Sequence, residues 1–299
     1  MSVDDVSIVR FIGEQGEPVV GAQRAGQVYP LPVASHGDLL RMSVVDLRLV
    51  VEAAVLGRGI AARSVTFLPV IDGRTEVWAA GVTYLSSKNA REMESDDPSV
   101  YAKVYDNPRA ELFFKAPAWR VVNHGGQIRV RADSPLNVPE PELALVLSAA
   151  GQILGYSICN DVSSRTIEGE NPLYLPQAKV YDGSCSLAAS WVPVWAVPDP
   201  YQLEIGISIV RDGAVVWTDT TTTGLLHRDL EELSRALFVE LSMPDGAVLA
   251  TGTCLAPAMD VTLLDGDVVT ISIPGVGELG NTVVQPQHAE VRSSIRQPA

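Results

Sequence analysis

Residues 139–183 read PEPELALVLSAAGQILGYSICNDVSSRTIEGENPLYLPQAKVYDG, and this stretch decides how the rest of the chain is interpreted. Glu140 and Glu142 stand one residue apart, before an apolar run that ends near a glycine turn at Gly151. Since side chains alternate faces along an extended strand, the two glutamates are expected to point the same way. A second apolar run then leads back to Asp161, so the pattern predicts a β-hairpin with three acids near its open end.

The length of the turn sets which of these acids face each other. A two-residue turn at 151–152 places Asp161 opposite Glu142, whereas a four-residue turn at 149–152 places it opposite Glu140. Both registers collect three carboxylates on one face, where like charges raise one another's pKa unless a cation lies among them. A hard divalent ion with oxygen ligands meets this need, so these acids predict a metal site for Mg²⁺, with Mn²⁺ or Ca²⁺ as alternatives.

Two glutamates beside prolines are also typical of a solvated strand edge, and their spacing alone leaves both interpretations open. The segment after Asp161 favours a functional site, because it is polar and broken by glycine and proline. Its charged and polar residues are Arg165, Glu168, Glu170, Gln177 and Lys179. Polar loops held on a rigid scaffold often carry the chemistry of an enzyme.

Composition excludes several classes of partner. The chain has 299 residues, a net charge of −14 and a pI near 4.7, which argues against binding to nucleic acid or an anionic membrane. The three cysteines are odd in number and lack metal-ligand spacing, so no disulfide framework is expected. The first residues lack the pattern of a signal peptide, and no apolar run has membrane-spanning length. We therefore expect a cytoplasmic protein.

Short apolar runs broken by glycine and proline recur along the chain, and few segments have helical periodicity. Residues 5–33 predict a small antiparallel sheet, and 39–56 predict a helix, with Asp46 as a possible cap inside it, that ends before two glycines. We place a boundary near residue 73, which gives a small N-terminal α+β domain (1–73) and a larger catalytic domain (74–299). The predicted class is α+β and mainly β.

The stretch RAELFFKAPAWRVV contains another pair of charges. Glu111 and Lys115 share a face if this segment is a regular strand. A surface salt bridge between them is the simplest interpretation, and such a bridge contributes little to stability. No glycine-rich nucleotide loop and no nucleophile elbow occur in the sequence, so nucleotide cofactors and serine hydrolysis are not indicated.

Four blocks together resemble the fumarylacetoacetate hydrolase family. They are PEPELALV, then YSICNDVSSRTIEGENPLYLPQAKVYDGSC, then PDGAVLATGT, and finally PGVGELGNTV, and the likeness covers roughly residues 77–284. The resemblance implies a mixed β-roll and a divalent metal held by Glu140, Glu142 and Asp161. It also implies a homo-oligomer, either a dimer or a tetramer.

One departure from the family pattern bears on the reaction. In the hydrolase branches a tyrosine is followed after three residues by a histidine and after three more by a glutamate, which activate the attacking water. Counting from Tyr84 gives Ser87 and Ala90, and neither can act as that base. The segment beyond, with Arg91 and Glu92, is predicted to be either an exposed helix or a lid over the substrate.

The blocks around Glu111 and Lys179 are most similar to a branch of 2-keto-3-deoxy sugar-acid dehydratases. The resemblance implies conversion of a small anionic 2-keto acid, 2-keto-3-deoxypentonate, to 2,5-dioxopentanoate. Lys179 would take the C3 proton to give a metal-stabilised enolate, and Glu111 would protonate the leaving C4 hydroxyl. Arg165 and Gln177 would hold the substrate, and Thr253 would bind its carboxylate. Alternatives are an acylpyruvate-type hydrolase or an oxaloacetate-type decarboxylase at the same metal, and a non-catalytic sugar-acid sensor.

Overall fold

The structure is a computed structural model that describes residues 5–87 and 103–286. The α-helices are α1 His36–Leu40, α2 Val44–Ala54, α3 Arg165–Glu170, α4 Leu175–Lys179 and α5 Leu230–Phe238. The strands are β1 Ser7–Ile12, β2 Pro18–Arg24, β3 Gln27–Pro30, β4 Ile60–Ala61, β5 Phe67–Leu68, β6 Glu76–Gly81, β7 Glu111–Pro117, β8 Val122–Asn123, β9 Gln127–Arg129, β10 Asn137–Val138, β11 Pro141–Leu147, β12 Ile153–Asp161, β13 Ser163–Ser164, β14 Cys185–Leu187, β15 Ser190–Pro193, β16 Glu204–Arg211, β17 Ala214–Thr222, β18 Ala247–Ala250, β19 Val268–Ile273 and β20 Gly277–Val284. The predicted α+β, mainly β class is confirmed.

Two sheets make up most of the described chain. The larger has 13 strands, with the main order β4-β3-β2-β1-β15-β12-β11-β18-β6-β7, and β5, β8 and β14 join it at the side. The smaller has five strands in the order β17-β16-β19-β20-β9. Most neighbours are antiparallel, but β18 and β6 run parallel, so the large sheet is mixed as expected.

Strand β11 lies at the centre and is buried along its whole length. Leu143 and Leu145 point into a core that β16 and β19 of the smaller sheet also line. The alternate residues Ala144 and Val146 point into a second core shared with the N-terminal strands. Because side chains alternate along a strand, Glu142 lies on the face of Ala144 and Val146, at the end of this second core.

The N-terminal segment is joined directly to the large sheet. Strand β1 pairs with β15, with Ile8 opposite Trp191, and residues from both sides of position 73 share the second core. The division into domains 1–73 and 74–299 stays a prediction. The helix predicted at 39–56 is interrupted, because the chain forms α1 and α2 instead. The Ser43 side chain accepts a hydrogen bond from the Asp46 amide and so caps the start of α2.

His36, the first residue of α1, is fully buried against β15. Its Nε2 accepts a hydrogen bond from Trp191 Nε1 at 3.0 Å. Burial and, to a lesser extent, the nearby charge of Arg10 lower the pKa of His36 to about 3. The ring is therefore neutral in the folded protein at neutral pH.

We expect the free energy of unfolding to decrease as the pH falls below the ordinary pKa of histidine, 6.5, because the unfolded chain then binds a proton that the folded chain excludes. Between about pH 7 and about pH 5 the wild type should lose about 2 kcal/mol more than His36→Gln, which keeps a hydrogen-bond acceptor but does not titrate. Denaturant unfolding of both proteins across this range is the measurement. Parallel stability profiles would contradict the assignment.

Candidate active site

The hairpin of β11 and β12 brings the predicted acids together. Pro141 lies opposite Asn160, and the Asp161 amide donates to the Glu140 carbonyl oxygen at 3.0 Å. Of the two registers predicted from the sequence, the structure has the one in which Asp161 faces Glu140. The turn itself differs from the predicted four residues, because Leu147 pairs with Ile153 and the Ser148 amide donates to the Gln152 carbonyl oxygen at 2.8 Å. A register shift between Val146 and Leu147 adjusts the pairing near the turn and leaves the open end unaffected.

Glu140, Glu142 and Asp161 form a compact group of carboxylates. One oxygen from each lies within 4.8 Å of the others, and the residues are only 2%, 1% and 0% exposed. Burial raises the pKa of Glu142 well above its usual value, and the charges of Asp161 and Glu140 raise it further. Three buried oxygen donors that repel one another are suited to a hard divalent cation.

Lys179 lies among these acids at the end of α4. Its Nζ donates to Glu140 Oε2 at 2.7 Å, to Asp161 Oδ2 at 3.0 Å and to Ser163 Oγ at 2.6 Å. Arg165 forms an ion pair with the other oxygen of Glu140 at 3.1 Å. The cations therefore hold two of the three acids in fixed orientations.

Two more buried charges complete the group. Lys115, which is 0% exposed, forms an ion pair with Asp161 Oδ1, and Glu168 Oε1 lies 3.9 Å from the Lys179 ammonium. Among the described residues the buried charges at the site are thus Glu140, Glu142, Asp161, Glu168, Lys115, Lys179 and Arg165. These four acids and three cations carry one net negative charge when all are ionised.

The acids and Lys179 line a small cavity that is partly open to solvent. Glu111 and Phe113 of β7 line one side, and Glu168 and Leu175 line another. The Lys179 ammonium lies 5.6 Å from the centre of the Phe113 ring. The cavity therefore combines a proton-binding amine, carboxylates and an apolar wall, as expected for acid–base chemistry on a small polar ligand.

A tight loop after β18 fixes Glu142 from the other side. The Gly252 amide donates to Glu142 Oε2 at 2.7 Å, and Gly252 has a φ of +93°, which other residues rarely adopt. A Cβ at this position would lie 2.0 Å from Thr83 Oγ1 and 3.0 Å from the Ala80 carbonyl oxygen. Only glycine can bring the amide this close to Glu142.

The chain segments that build this site also match a known protein family. A family model described as the fumarylacetoacetate hydrolase C-terminal domain matches residues 76–284. The chain belongs to the fumarylacetoacetate hydrolase family.

No helix in the described ranges 5–87 and 103–286 is long and apolar enough to cross a membrane.

Relatives within this family have named activities. A "probable 2-keto-3-deoxyxylonate dehydratase" of Haloferax volcanii is 44% identical over 281 residues, covering 90% of this chain and 96% of the relative. A "2-dehydro-3-deoxy-D-arabinonate dehydratase" of Saccharolobus solfataricus is 44% identical over 211 residues, covering 68% of this chain and 70% of the relative.

A solved structure of a similar protein contains bound ligands. It is a 2-keto-3-deoxy-D-arabinonate dehydratase complexed with magnesium and 2,5-dioxopentanoate, with a TM-score of 0.81 and 34% identity. The match covers 94% of this chain and 99% of that chain. The predicted family and its mixed β-roll are therefore confirmed.

The residues of this chain that the sequence predicts to bind substrate lie in different surroundings. Thr253 lines the cavity, and its hydroxyl donates to the Leu255 carbonyl oxygen at 3.0 Å. Arg165 is buried and paired with Glu140. The Gln177 side chain is exposed, and it does not line the described cavity. Its predicted role is not supported by this placement.

Two residues at the site were not identified as site residues from the sequence. A surface position for Lys115, the simplest interpretation of the sequence, is wrong because the residue is fully buried beside Asp161. A lone lysine inside the apolar run LFFKAPA was the available signal. Glu168 was noted only as a polar loop residue, but it is 4% exposed and lines the cavity next to Lys179.

The histidine and glutamate that activate water in the hydrolase branches are replaced in this chain by Ser87 and Ala90. Ser87 lines the cavity, but its hydroxyl donates to the Tyr84 carbonyl oxygen at 2.8 Å. Ala90 and the predicted helix or lid with Arg91 and Glu92 lie outside the described residues.

Replacing Gly252 by alanine should move the loop that anchors Glu142. We expect Gly252→Ala to lower the free energy of unfolding by about 1–3 kcal/mol and to weaken Mg²⁺ binding, since both backbone strain and contact with Thr83 oppose the side chain. Gly266→Ala is the matched control, because Gly266 has a similar φ of +85° but nothing within 4 Å of the added Cβ. Denaturant unfolding and Mg²⁺ titration of both variants provide the measurement. Equal behaviour of the two variants would contradict the role assigned to Gly252.

Proposed function

We propose that this protein is a metal-dependent dehydratase of 2-keto-3-deoxy sugar acids, with 2-keto-3-deoxypentonate as substrate and 2,5-dioxopentanoate as product. The observation that carries the proposal is the buried group of Glu140, Glu142, Asp161 and Lys179, which opens into a cavity lined by further carboxylates. Relatives that cover most of this chain bear the names of dehydratases for such acids.

Glu140, Glu142 and Asp161 would hold the metal. Their carboxylate oxygens lie within 4.8 Å of one another and are shielded from water, and oxygen-only donors suit Mg²⁺, with Mn²⁺ or Ca²⁺ as alternatives. Burial, and then the charges of Asp161 and Glu140, raise the pKa of Glu142, and a cation bound among these carboxylates would oppose that rise. A divalent ion bound there supplies Lewis acidity toward the carboxylate and keto oxygens of a 2-keto acid.

Lys179 is the proposed base for the C3 proton. Its amine lies in the buried site and lines the cavity, and burial favours the neutral form of an amine. Glu168, 3.9 Å away, is a carboxylate near this amine that the proposed metal does not use. We infer that Glu168 keeps the amine in place while it exchanges a proton with the substrate.

Glu111 is the proposed acid for the leaving group. It stands at the start of β7 on the cavity wall, where it can protonate the C4 hydroxyl as that group departs as water. The elimination leaves a C3–C4 double bond. A proton shift from C5 to C3, followed by conversion of the resulting enol to the aldehyde, then yields 2,5-dioxopentanoate without further loss of atoms.

Three residues, Thr253, Arg165 and Gln177, are proposed to bind the substrate. Thr253 is retained as a binder of the substrate carboxylate because it lines the cavity beside Gly252. A substrate contact by Arg165 requires it to reach beyond its ion pair with Glu140, and one by Gln177 requires its exposed side chain to turn inward. Both remain predictions that binding measurements on Arg165→Lys and Gln177→Ala can test.

We further propose a cytoplasmic homo-oligomer, a dimer or tetramer of the 32.0 kDa chain. The support for both is the similarity of this chain to the dehydratases of this family. Light scattering gives the mass in solution, and cell fractionation gives the location.

The reaction test uses 2-keto-3-deoxypentonate, Mg²⁺ and proton NMR to identify products. We expect one 2,5-dioxopentanoate per substrate, loss of turnover on chelation with EDTA, and recovery with added Mg²⁺, because the carboxylate site needs a divalent ion. Pyruvate or carbon dioxide as the product would instead indicate carbon–carbon cleavage or decarboxylation. Binding without any product would indicate a sensor.

Matched variants test which residues act. Lys179→Met should lower kcat by at least about 10²-fold because it removes the proton acceptor, and Glu142→Gln should abolish Mg²⁺-dependent turnover. Lys103→Met and Glu278→Gln make the same chemical changes at exposed positions and should leave activity unchanged. Wild-type kcat in folded Lys179→Met would rule out the proposed base.

A further inference from the structure

Lys115 enters the site through an irregularity in strand pairing. In the antiparallel pair of β6 and β7, Phe114 lies opposite Trp78 and Ala116 lies opposite Val77, so Lys115 is an extra residue without a cross-strand partner. Such a bulge bends the strand and redirects a side chain. Lys115 and Ala116 are consecutive and both 0% exposed, which a regular strand with one solvated face does not allow.

The Lys115 ammonium has three acceptors around it. It forms an ion pair with Asp161 Oδ1, donates to the Val162 carbonyl oxygen at 3.1 Å, and donates to the Lys179 carbonyl oxygen. Two of these contacts are hydrogen bonds, and the third, to Asp161, is an ion pair without hydrogen-bond geometry. Lys115 also does not line the cavity, and it is therefore not placed to exchange protons with a substrate.

These contacts link one metal-site carboxylate to the backbone of the proposed base. Asp161 receives Lys115 on Oδ1 and the Lys179 ammonium on Oδ2 at 3.0 Å. The same Lys115 ammonium also holds the Lys179 carbonyl oxygen at the end of α4. Lys115 thus fixes both the orientation of Asp161 and the chain position from which Lys179 reaches into the site.

We propose that Lys115 is a positioning residue that orients Asp161 for divalent metal binding and keeps Lys179 at its place in the cavity. The inference rests on the proposed function, because it takes Asp161 as a metal ligand and Lys179 as the base. The two buried lysines then have different tasks: Lys115 stays a fixed cation, while Lys179 reacts.

Removing Lys115 distinguishes a role in orienting Asp161 from a role as a nearby positive charge alone. If Lys115 acts only as a nearby positive charge, its loss strengthens Mg²⁺ binding, because a competing cation is gone. If it orients Asp161, its loss lets both oxygens of Asp161 turn toward the Lys179 ammonium. That ammonium then stays among the carboxylates, and Mg²⁺ binding weakens. The two possibilities predict changes of opposite sign.

The test measures Mg²⁺ binding calorimetrically on metal-stripped protein, without substrate. For Lys115→Met we expect the Kd of Mg²⁺ to rise about 10- to 100-fold, as is typical when a residue behind a metal ligand is lost, and kcat to stay below the wild-type value at saturating Mg²⁺. Arg10→Met is the control for stability, because it removes another buried cation, paired with Asp72 at 2.9 Å, in the N-terminal segment. It should keep the wild-type Kd.

A second variant covers the possibility that Lys115→Met does not fold. Lys115→Arg keeps the charge, but a planar guanidinium cannot place one point charge within reach of the same three acceptors. It should also weaken Mg²⁺ binding. An unchanged or tighter Kd in a folded Lys115 variant would overturn the proposal. Because this readout needs no substrate, weaker binding combined with no dehydration by the wild type would reject the proposed function alone.

Discussion

Carboxylates that are buried together can stay ionised only when positive charge lies among them, and this constraint organises the site. The described residues place four buried acids and three buried cations in contact, which leaves one negative charge in excess. When all seven groups are ionised, a divalent cation turns this excess into one positive charge, which an anionic substrate can offset. The same balance explains why an acidic protein with a net charge of −14 can bind an anion, since attraction comes from the local charges.

The fold meets this constraint through the rigidity of one hairpin. Strand β11 packs apolar side chains into a core on each face, so its register with β12 cannot slip by one residue without exposing both sets to the wrong surroundings. That register fixes Glu140 opposite Asp161. The Gly252 amide in the loop after β18 then holds Glu142, and the Lys115 ammonium of β7 holds Asp161.

Strand alternation made part of the site predictable from the sequence. Two glutamates one residue apart and an aspartate at the end of the returning strand had to share a face in either register. The register itself depended on the length of the turn, which the sequence left open at two or four residues. The burial of Lys115 was not predicted, because the bulge that buries it arises from pairing between β6 and β7. A local sequence pattern does not predict such a bulge.

Helical geometry explains why Gln177 is exposed while Lys179 is buried. Residues two apart on a helix point in nearly opposite directions, so α4 turns Lys179 toward the site and Gln177 away from it. The helix predicted at 39–56 is interrupted, since Ser43 offers a capping hydroxyl that starts a new helix. Apolar spacing indicated the helical segment, and a local cap decided where it is broken.

The central claim is that Glu140, Glu142 and Asp161 together bind one divalent ion. It is tested most directly by a crystal grown with Mn²⁺ and measured for anomalous scattering. The account predicts a single anomalous peak coordinated by oxygens from all three carboxylates, with Lys179 nearby in the cavity. A peak bound by only one of these carboxylates, or one located elsewhere in the molecule, would contradict it.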